Sequence, residues 1–427
     1  MKVFFHTLGC KVNRYETEKM LEDLQNIGFT LELDPKSADL IVVNSCTVTA
    51  ESDRKTRQLT RRYKRQNPHA VILLTGCMPQ AFPKDAEELP ADIILGNGSE
   101  RNIIQAVNTY FNTHNRIVEI SPHKKGEIFG SSLLSDFSER TRAYMKIEDG
   151  CDRGCTYCII PKARGRVRSR SLEDIKSEAE NLAKNGFKEI VLVGINLSSF
   201  GKDTDTTLAD AVSAVAAVDG IKRVRLGSLE PDLTDDALLN SLKQIPEFCP
   251  QFHLSLQSGS NATLKRMNRL YSAEEYFSLT EKIKKNWHNA SITTDIMVGF
   301  IGETDEEFNE SLEFAEKVGF LKAHIFPYSV REGTFAAVMN PKVDEEVKNL
   351  RAAKMSDKCE KISENILKSL KGQRRSVLFE RKSGEYSHGY SEDYIPVYVR
   401  ANVKTGEIVN VKILDTLKDG VLAEIIE

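Results

Sequence analysis

The chain reads as an α/β protein with three parts: an N-terminal open parallel sheet, a central partial (β/α)6 barrel and a small C-terminal antiparallel β-barrel. Three observations lead there. Short apolar runs alternate with helical patterns up to about residue 343, which implies parallel sheets joined by crossover helices. From about Gly372 the pattern changes to β-like runs parted by glycine-containing turns, as in small closed barrels. Six of the eight cysteines form two trios, Cys10/Cys46/Cys77 and Cys151/Cys155/Cys158, placed where such strands end.

Composition bounds the rest. Apolar residues make up 40% and charged residues 28% of 427, the balance of a globular protein and not of a disordered one. A chain of this length forms two or three domains. No apolar run approaches the roughly 20 residues of a membrane span. The opening Met1–Thr7 is too short and too soon interrupted for a signal peptide. Cysteine spacings that suit metals, without a targeting segment, point to a reducing cytoplasm. The net charge of −3 is uninformative; the placement of the basic residues says more.

In the first 120 residues, Val3–Leu8, Leu40–Asn44 and Ala70–Thr75 are expected strands, and Glu16–Ile27, Glu51–Gln66 and Arg101–Phe111 expected helices. Cys10, Cys46 and Cys77 each lie just past one of these strands. The carboxyl ends of parallel strands form the binding crevice of an open sheet, so three distant cysteines converge on one edge. The plainer reading is three unrelated buried thiols. Residues 121–142 are polar and read as a linker. A second series spans 143–343, with strands at Ala143–Ile147, Glu189–Val193, Arg223–Gly227, Phe252–Leu256, Ile292–Val298 and His324–Tyr328. Ser171 with Asp174 caps a helix over Leu172–Asn185. Six strands are too few for a closed eight-fold barrel, so an open barrel with a lateral mouth is expected. Residues 344–371 read as a connector helix. In 372–427, Ser376–Phe379, Ile395–Arg400, Ile408–Ile413 and Val421–Ile426 are expected strands.

The second trio, C-x3-C-x2-C over Cys151–Cys158, ligates only three irons of a 4Fe–4S cube and leaves the fourth open to a small molecule. A structural zinc site normally shows a fourth ligand and paired C-x2-C elements; Cys249 or Cys359 would have to supply it. Neither spare cysteine has a partner at useful spacing, and His6 lies within a strand. Basic residues gather twice. Arg54, Arg57, Arg61 and Arg65 share one helical face. Arg164, Arg166, Arg168 and Arg170 alternate, so an extended chain would present all four on one side. Both suit phosphate neutralisation, against the alternatives of a solvated face or internal ion pairs.

With Tyr157 before its last cysteine, Cys151–Cys158 resembles the signature of radical S-adenosylmethionine (SAM) enzymes. Other segments resemble the methylthiotransferases among them: Thr7–Thr17, Asn44–Val48, Thr75–Cys77, Ile159–Pro161 running into Arg164–Gly165, Leu254–Gly259 and Thr294–Phe300. The segment with Gly389–Ser391 and Tyr394–Val397 resembles their C-terminal TRAM domain. Nearly the whole chain is covered. Ile301 departs from the pattern, where proline is usual. Lys11-Val12-Asn13 after Cys10 resembles the branch acting on N6-threonylcarbamoyladenosine in tRNA.

The resemblance implies two 4Fe–4S clusters and SAM. The Cys151/Cys155/Cys158 cluster would bind and cleave SAM, and the 5′-deoxyadenosyl radical would take hydrogen from adenine C2. The Cys10/Cys46/Cys77 cluster would supply sulfur, and a second SAM the methyl group. An aromatic C–H offers no acidic proton to a side-chain base, so a cofactor must act there. By position, SAM contacts are expected at Tyr157, Gly194, Asn196, Glu230, Ser255, Gln257, Val298, Gly299 and Phe326, near the carboxyl ends of barrel strands. Expected partners are the anticodon stem-loop of a tRNA and a reducing electron donor, with no membrane and a monomeric chain. Tyr386, His388, Tyr390 and Tyr394 would stack on bases or fill the last barrel. The alternatives are isopentenyladenosine tRNA or a ribosomal protein side chain as substrate, and, in another class, an RNA-binding redox sensor without turnover.

Overall fold

The computed structural model describes residues 1–98, 103–124, 126–130, 134 and 141–426. The chain forms two compact units. The first comprises Met1–Ser138, Lys146–Arg170 and Ser329–Ala337; the second comprises Glu139–Met145, Ser171–Tyr328 and Val338–Glu427.

In the first unit the chain runs β1 (Lys2–Thr7), α1 (Lys11–Asn26), β2 (Thr30–Leu31), β3 (Leu40–Ser45), α2 (Ala50–Gln66), β4 (Val71–Gly76), α3 (Cys77–Ala81), α4 (Pro83–Glu87), β5 (Ile93–Leu95), α5 (Ile103–Thr113) and β6 (Ile117–Glu119). The six strands form a parallel sheet in the order β2-β1-β3-β4-β5-β6. Its two faces carry separate cores. Val3, Leu40, Val42, Leu73 and Ile93 pack against Leu21 and Leu24 of α1 and Val107 of α5. Ile41, Val43, Ile72 and Leu74 pack against Tyr63 of α2 and Ala86 of α4. Adjacent residues thus face opposite layers, and the buried strands read as unbroken apolar runs. The chain reverses direction across the sheet between β1 and β3, where such sheets open a crevice.

The expected strands all form, and the short β2, β5 and β6 add to them. Helix α1 begins earlier than expected, at Lys11 directly after Cys10. Residues 101–102, within the helix expected at Arg101–Phe111, lie outside the described residues, as do 125, 131–133 and 135–140 of the expected linker.

Next come β7 (Arg142–Lys146), β8 (Glu148–Asp149), α6 (Ile160–Arg164), β9 (Arg168–Ser169), α7 (Leu172–Lys184), β10 (Glu189–Val193), α8 (Leu208–Ala216), β11 (Arg223–Leu226), β12 (Ser228–Leu229), α9 (Asp236–Lys243), β13 (Gln251–Leu254), α10 (Asn261–Arg266), α11 (Ala273–Asn286), β14 (Ser291–Val298), α12 (Asp305–Val318) and β15 (Lys322–Pro327). Strands β8 and β9 pair within the first unit. In the second, the expected six-strand series is divided into a sheet β11-β10-β7 and a sheet β12-β13-β14-β15. The division falls at Gly227, whose amide donates to Leu192 O at 2.8 Å before the chain resumes beside β13.

Helix α13 (Glu345–Ser369) leads to β16 (Arg374–Ser383), β17 (Tyr386–Ser391), β18 (Pro396–Val399), β19 (Ile408–Leu417) and β20 (Gly420–Ile425). These close into a barrel, β16-β17-β18-β20-β19, around Val377, Phe379, Val397, Val411 and Ile413. It is not wholly antiparallel, because β18 and β20 run parallel. β17, which carries Tyr386, His388 and Tyr390, is not among the expected strands; its polar sequence hides it.

Candidate active site

The first trio follows three adjacent strands. Cys10 stands at the start of α1, Cys46 directly follows β3, and Cys77 opens α3 directly after β4. Side chains brace these turns. Asn13 Nδ2 donates to Leu8 O at 2.8 Å and to Ser45 O at 2.9 Å, joining the Cys10 turn to the Cys46 turn. Ser45 Oγ donates to Thr75 O at 2.6 Å and accepts from the Met78 amide at 3.2 Å, joining Cys46 to Cys77. Two glycines make the approach possible. A Cβ on Gly9 would fall 2.8 Å from Cys46 Cβ, and one on Gly76 would fall 2.4 Å from Ser45 O; both have positive φ.

Cys10 is exposed, whereas Cys46 and Cys77 are buried. Burial pushes the Cys77 thiol up to about 12, while Arg164 pulls it back; Cys10 and Cys46 both act on it as neighbouring sulfurs. Burial likewise raises Cys46. Both buried thiols feel the Arg164 guanidinium, a cation that favours the thiolate form an iron ligand must take. Among the described residues, no three cysteine, histidine or acidic side chains form a set able to hold one ion. Thiolates that each bind a different iron span a wider triangle. The donor chemistry and the braced turns therefore fit a cluster.

The second trio lies in the same unit. Cys151 N donates to Gly165 O at 3.0 Å, and Cys158 N to Cys155 O at 3.1 Å. Helix α6 starts two residues after Cys158, and its Ala163 joins Ile159 in an apolar cluster with Cys77 and Ala81. The loop of one trio thereby packs on a cysteine of the other. Segment 329–337 completes this side: the Ala336 amide donates to Thr156 O at 2.8 Å, and Arg331 lies over the Phe82 ring.

Buried charges fill the space around Cys77. Arg164 is wholly buried, with Nε 3.2 Å from Cys77 Sγ. Its remaining nitrogens reach Asn13 Oδ1 at 2.8 Å and the Glu16 carboxylate. Lys146 also pairs with Glu16, at 2.5 Å, and with Asp149 at 2.7 Å. Burial opposes the charge on Glu16, but Arg164 and Lys146 outweigh it and its pKa falls. Asp149 is held far below its ordinary value in the same way, by Lys146, Arg164 and Arg168.

This corrects one expectation. Arg164 and Arg168 do not face RNA: both are buried, Arg168 being paired with Asp149 and Glu127 at 3.3 Å each. Arg170 is buried too, its Nη1 3.4 Å from Lys146 O. The alternating face fails because Arg164 ends a helix and Gly165 turns the chain at φ 71°. Arg166 alone of the four is exposed. The sequence did carry a signal for Lys146: a charge inside an apolar strand requires a buried partner.

The helical face fares differently. Asp53, Thr56, Thr60 and Tyr63 are the buried residues of α2, leaving Arg54, Arg61 and Arg65 exposed and Arg57 half-buried. Gln58, Arg61, Arg62, Lys64, Arg65 and Pro90 line one cleft. Arg54 is engaged by Glu51.

Of the positions expected to meet SAM, Tyr157 lies in the first unit and the rest in the second. Asn196, Ser255, Gln257 and Val298 are buried; Gly194, Glu230 and Phe326 are partly exposed. Gln257 has φ 68°, and its buried Oε1 has no hydrogen-bond partner among the described residues. A buried acceptor left open suits a ligand with a donor. Glu230 pairs with Arg269. The Cα of Gly299 faces α13, where a Cβ would fall 2.3 Å from Lys348 Cγ.

The last barrel's aromatics are largely engaged within the chain. Tyr390 and Tyr394 stack with centroids 4.6 Å apart; Arg142 covers both at 4.7 and 4.9 Å, and Arg225 covers Tyr394 at 4.7 Å. Their faces are not available to bases, and His388 is buried.

Residues 145–315 match the Radical SAM superfamily, and residues 2–96 match a family described as Uncharacterized protein family UPF0004. The chain is 38% identical to the threonylcarbamoyladenosine tRNA methylthiotransferase MtaB of Thermotoga maritima, over 99% of this chain and 96% of that one. It is 37% identical to the protein of the same name from Bacillus subtilis, over 96% and 93%. It is 36% identical to the tRNA-2-methylthio-N(6)-dimethylallyladenosine synthase of Clostridium tetani, over 97% and 94%. Among solved structures, the radical SAM methyltransferase TsrM from Kitasatospora setae superposes with a TM-score of 0.60 at 13% identity, covering 79% of this chain and 74% of that one. That likeness speaks to fold alone.

Proposed function

The chain belongs to the radical SAM methylthiotransferase family, and on that premise we propose that it adds a methylthio group to C2 of N6-threonylcarbamoyladenosine beside the anticodon of a tRNA. SAM and 4Fe–4S clusters are the cofactors of this family. When bound, they supply a one-electron route to an unreactive C–H bond and the sulfur that replaces the hydrogen.

Cys151, Cys155 and Cys158 hold the SAM-binding cluster, and Cys10, Cys46 and Cys77 the auxiliary one. Asn13 and Ser45 fix the turns that carry Cys10, Cys46 and Cys77. Gln257 offers its open carbonyl to SAM, with Tyr157, Gly194, Asn196, Glu230, Ser255, Val298, Gly299 and Phe326 as the other contacts. Arg54, Arg57, Arg61, Arg65 and Arg166 neutralise tRNA phosphates and orient the anticodon stem-loop. The target base leaves its stack to be modified. A separate reductant supplies electrons, and the chain works as a monomer in the cytoplasm. No helix among the described residues is long and apolar enough to cross a membrane.

The observation that carries this reading is the packing of Ile159, next to Cys158, and Ala163 of α6 with Cys77. That contact brings the segment after Cys158 against a cysteine of the other trio, which supports a reaction needing both. The Clostridium relative supports a second reading, with dimethylallyladenosine as substrate. Mass spectrometry of tRNA nucleosides from cells lacking the protein separates them. Loss of the methylthio group from threonylcarbamoyladenosine alone fits the first reading, and loss from the dimethylallyl nucleoside fits the second. Reconstituted protein that forms no 5′-deoxyadenosine from SAM under strong reduction would instead be a redox sensor.

A further inference from the structure

We infer that Arg164 is a positioning residue for the auxiliary cluster: it donates from Nε to the Cys77 sulfur and thereby raises the reduction potential of the cluster that sulfur holds. The inference rests on the reading that Cys10, Cys46 and Cys77 ligate a cluster.

Four observations support it. The donor is aimed: Nε stands 3.2 Å from Cys77 Sγ, within range for a hydrogen bond to sulfur. The donor is dry, because neither Arg164 nor Cys77 meets solvent to any useful extent, at 0% and 3% exposure. The donor is fixed, because Glu16 and Asn13 hold the other end of the guanidinium, and Lys146 and Asp149 hold Glu16 and Arg164 in turn. The donor is also tied to the other trio. Arg164 ends the helix that begins after Cys158, and the next residue, Gly165, accepts the Cys151 amide through its carbonyl at 3.0 Å.

Buried guanidinium groups are costly, and a plain surface role would not need one. A hydrogen bond to a cluster sulfur and a nearby positive charge both favour the more negative, reduced cluster. Five donors in a rigid fork let Arg164 hold both oxygens of a carboxylate, an amide oxygen and a sulfur together, one contact more than the three donors of a lysine can make. Arg164 thus sets the potential of one cluster from a helix anchored beside the other.

The test isolates the auxiliary cluster in the full chain by replacing Cys151, Cys155 and Cys158 with Ala and reconstituting with iron and sulfide. Its midpoint potential is then read by redox titration with electron paramagnetic resonance. Arg164→Lys keeps the charge and loses the fork. The double variant Arg164→Gln with Glu16→Gln removes one buried charge of each sign and leaves Lys146 and Arg168 paired with Asp149. We expect the same iron content in both. The double variant should shift the reduced-to-oxidised ratio at fixed potential at least tenfold toward oxidised, or 59 mV for one electron. Arg164→Lys should lie between it and the parent. A parent-like potential in the double variant overturns the inference while leaving the cluster assignment intact. A parent chain that binds no cluster through Cys10, Cys46 and Cys77 overturns the assignment itself, and the inference with it.

Discussion

Arg331 donates to the Asp53 carboxylate at 2.5 Å, and both side chains are buried. The same guanidinium reaches Thr47 Oγ1 at 2.8 Å, next to Cys46. Segment 329–337, distant in sequence, thus braces the turn that carries one cysteine of the first trio. Burial raises the Asp53 pKa, and Thr47 and Arg331 partly offset it. Removing the cation strands that carboxylate. Arg331→Ala should therefore destabilise the protein by about 3–5 kcal/mol, read as a lower midpoint in denaturant. Arg331→Ala with Asp53→Asn should recover a large part of the loss. Additive costs in the double variant would refute the pairing.

The two trios should separate on mutation. Cys151→Ala should abolish cleavage of SAM, whereas Cys46→Ala should leave some cleavage and stop sulfur insertion. Assays of 5′-deoxyadenosine and of methylthiolated nucleoside distinguish the two. Equal loss of both activities in both variants would show that the trios do not divide the work. Cys359, buried on α13, should be replaceable by Ser without change in iron content.

Salt dependence tests the arginine face. Arg61 and Arg65 are exposed beside one cleft. If each meets a phosphate, Arg61→Ala and Arg65→Ala should each lower the slope of log affinity against log salt by about 1. Binding of an anticodon stem-loop over a range of potassium chloride measures it. An unchanged slope would mean that this face is merely solvated.

Acid should loosen the C-terminal barrel through His388. Burial lowers its pKa to about 4, with Arg381, Arg142 and Lys418 adding to the effect. Its Nδ1 has no hydrogen-bond partner among the described residues, so a proton added there meets neither water nor a protein acceptor. A depressed histidine pKa contributes stability above the unfolded value near 6.5 that is lost as pH falls toward 4. The contribution is on the order of 2–3 kcal/mol at neutral pH. The melting temperature should fall more steeply between pH 7 and 4 in the wild type than in His388→Gln, which lacks that part of the pH dependence. Identical slopes would place the acid sensitivity elsewhere.

Where the cysteines stand was legible because strand ends announce themselves. Leu40–Asn44 and Ala70–Thr75 are apolar runs stopped by Ser45-Cys46 and Gly76-Cys77, so period and punctuation agree. The arginines of α2 were legible for the same reason, since helical periodicity sorts a face before any fold is known. Arg164–Arg170 was misread because alternation has meaning only along a strand. There the strand is two residues long and Gly165 breaks the run. β17 stayed hidden because Tyr386-Ser387-His388-Gly389 shows little hydrophobic alternation; its pairing with β16 and β18 defines it. Glu16 could not be assigned at all, since its partners lie 130 and 148 positions away.

The stacked pair Tyr390–Tyr394 has a consequence for how the chain can be divided. Arg142 and Arg225 spread over those rings while also pairing with Glu189 at the base of a barrel strand, and Arg223 donates to Tyr390 O at 3.1 Å. Deleting residues 372–427 would leave three arginines around a single glutamate, with the aromatic ceiling gone and the strand ends open to water. The C-terminal barrel is therefore a keystone of its unit rather than an appended module. A shortened chain should fail to accumulate as folded protein, even where its six cysteines are untouched.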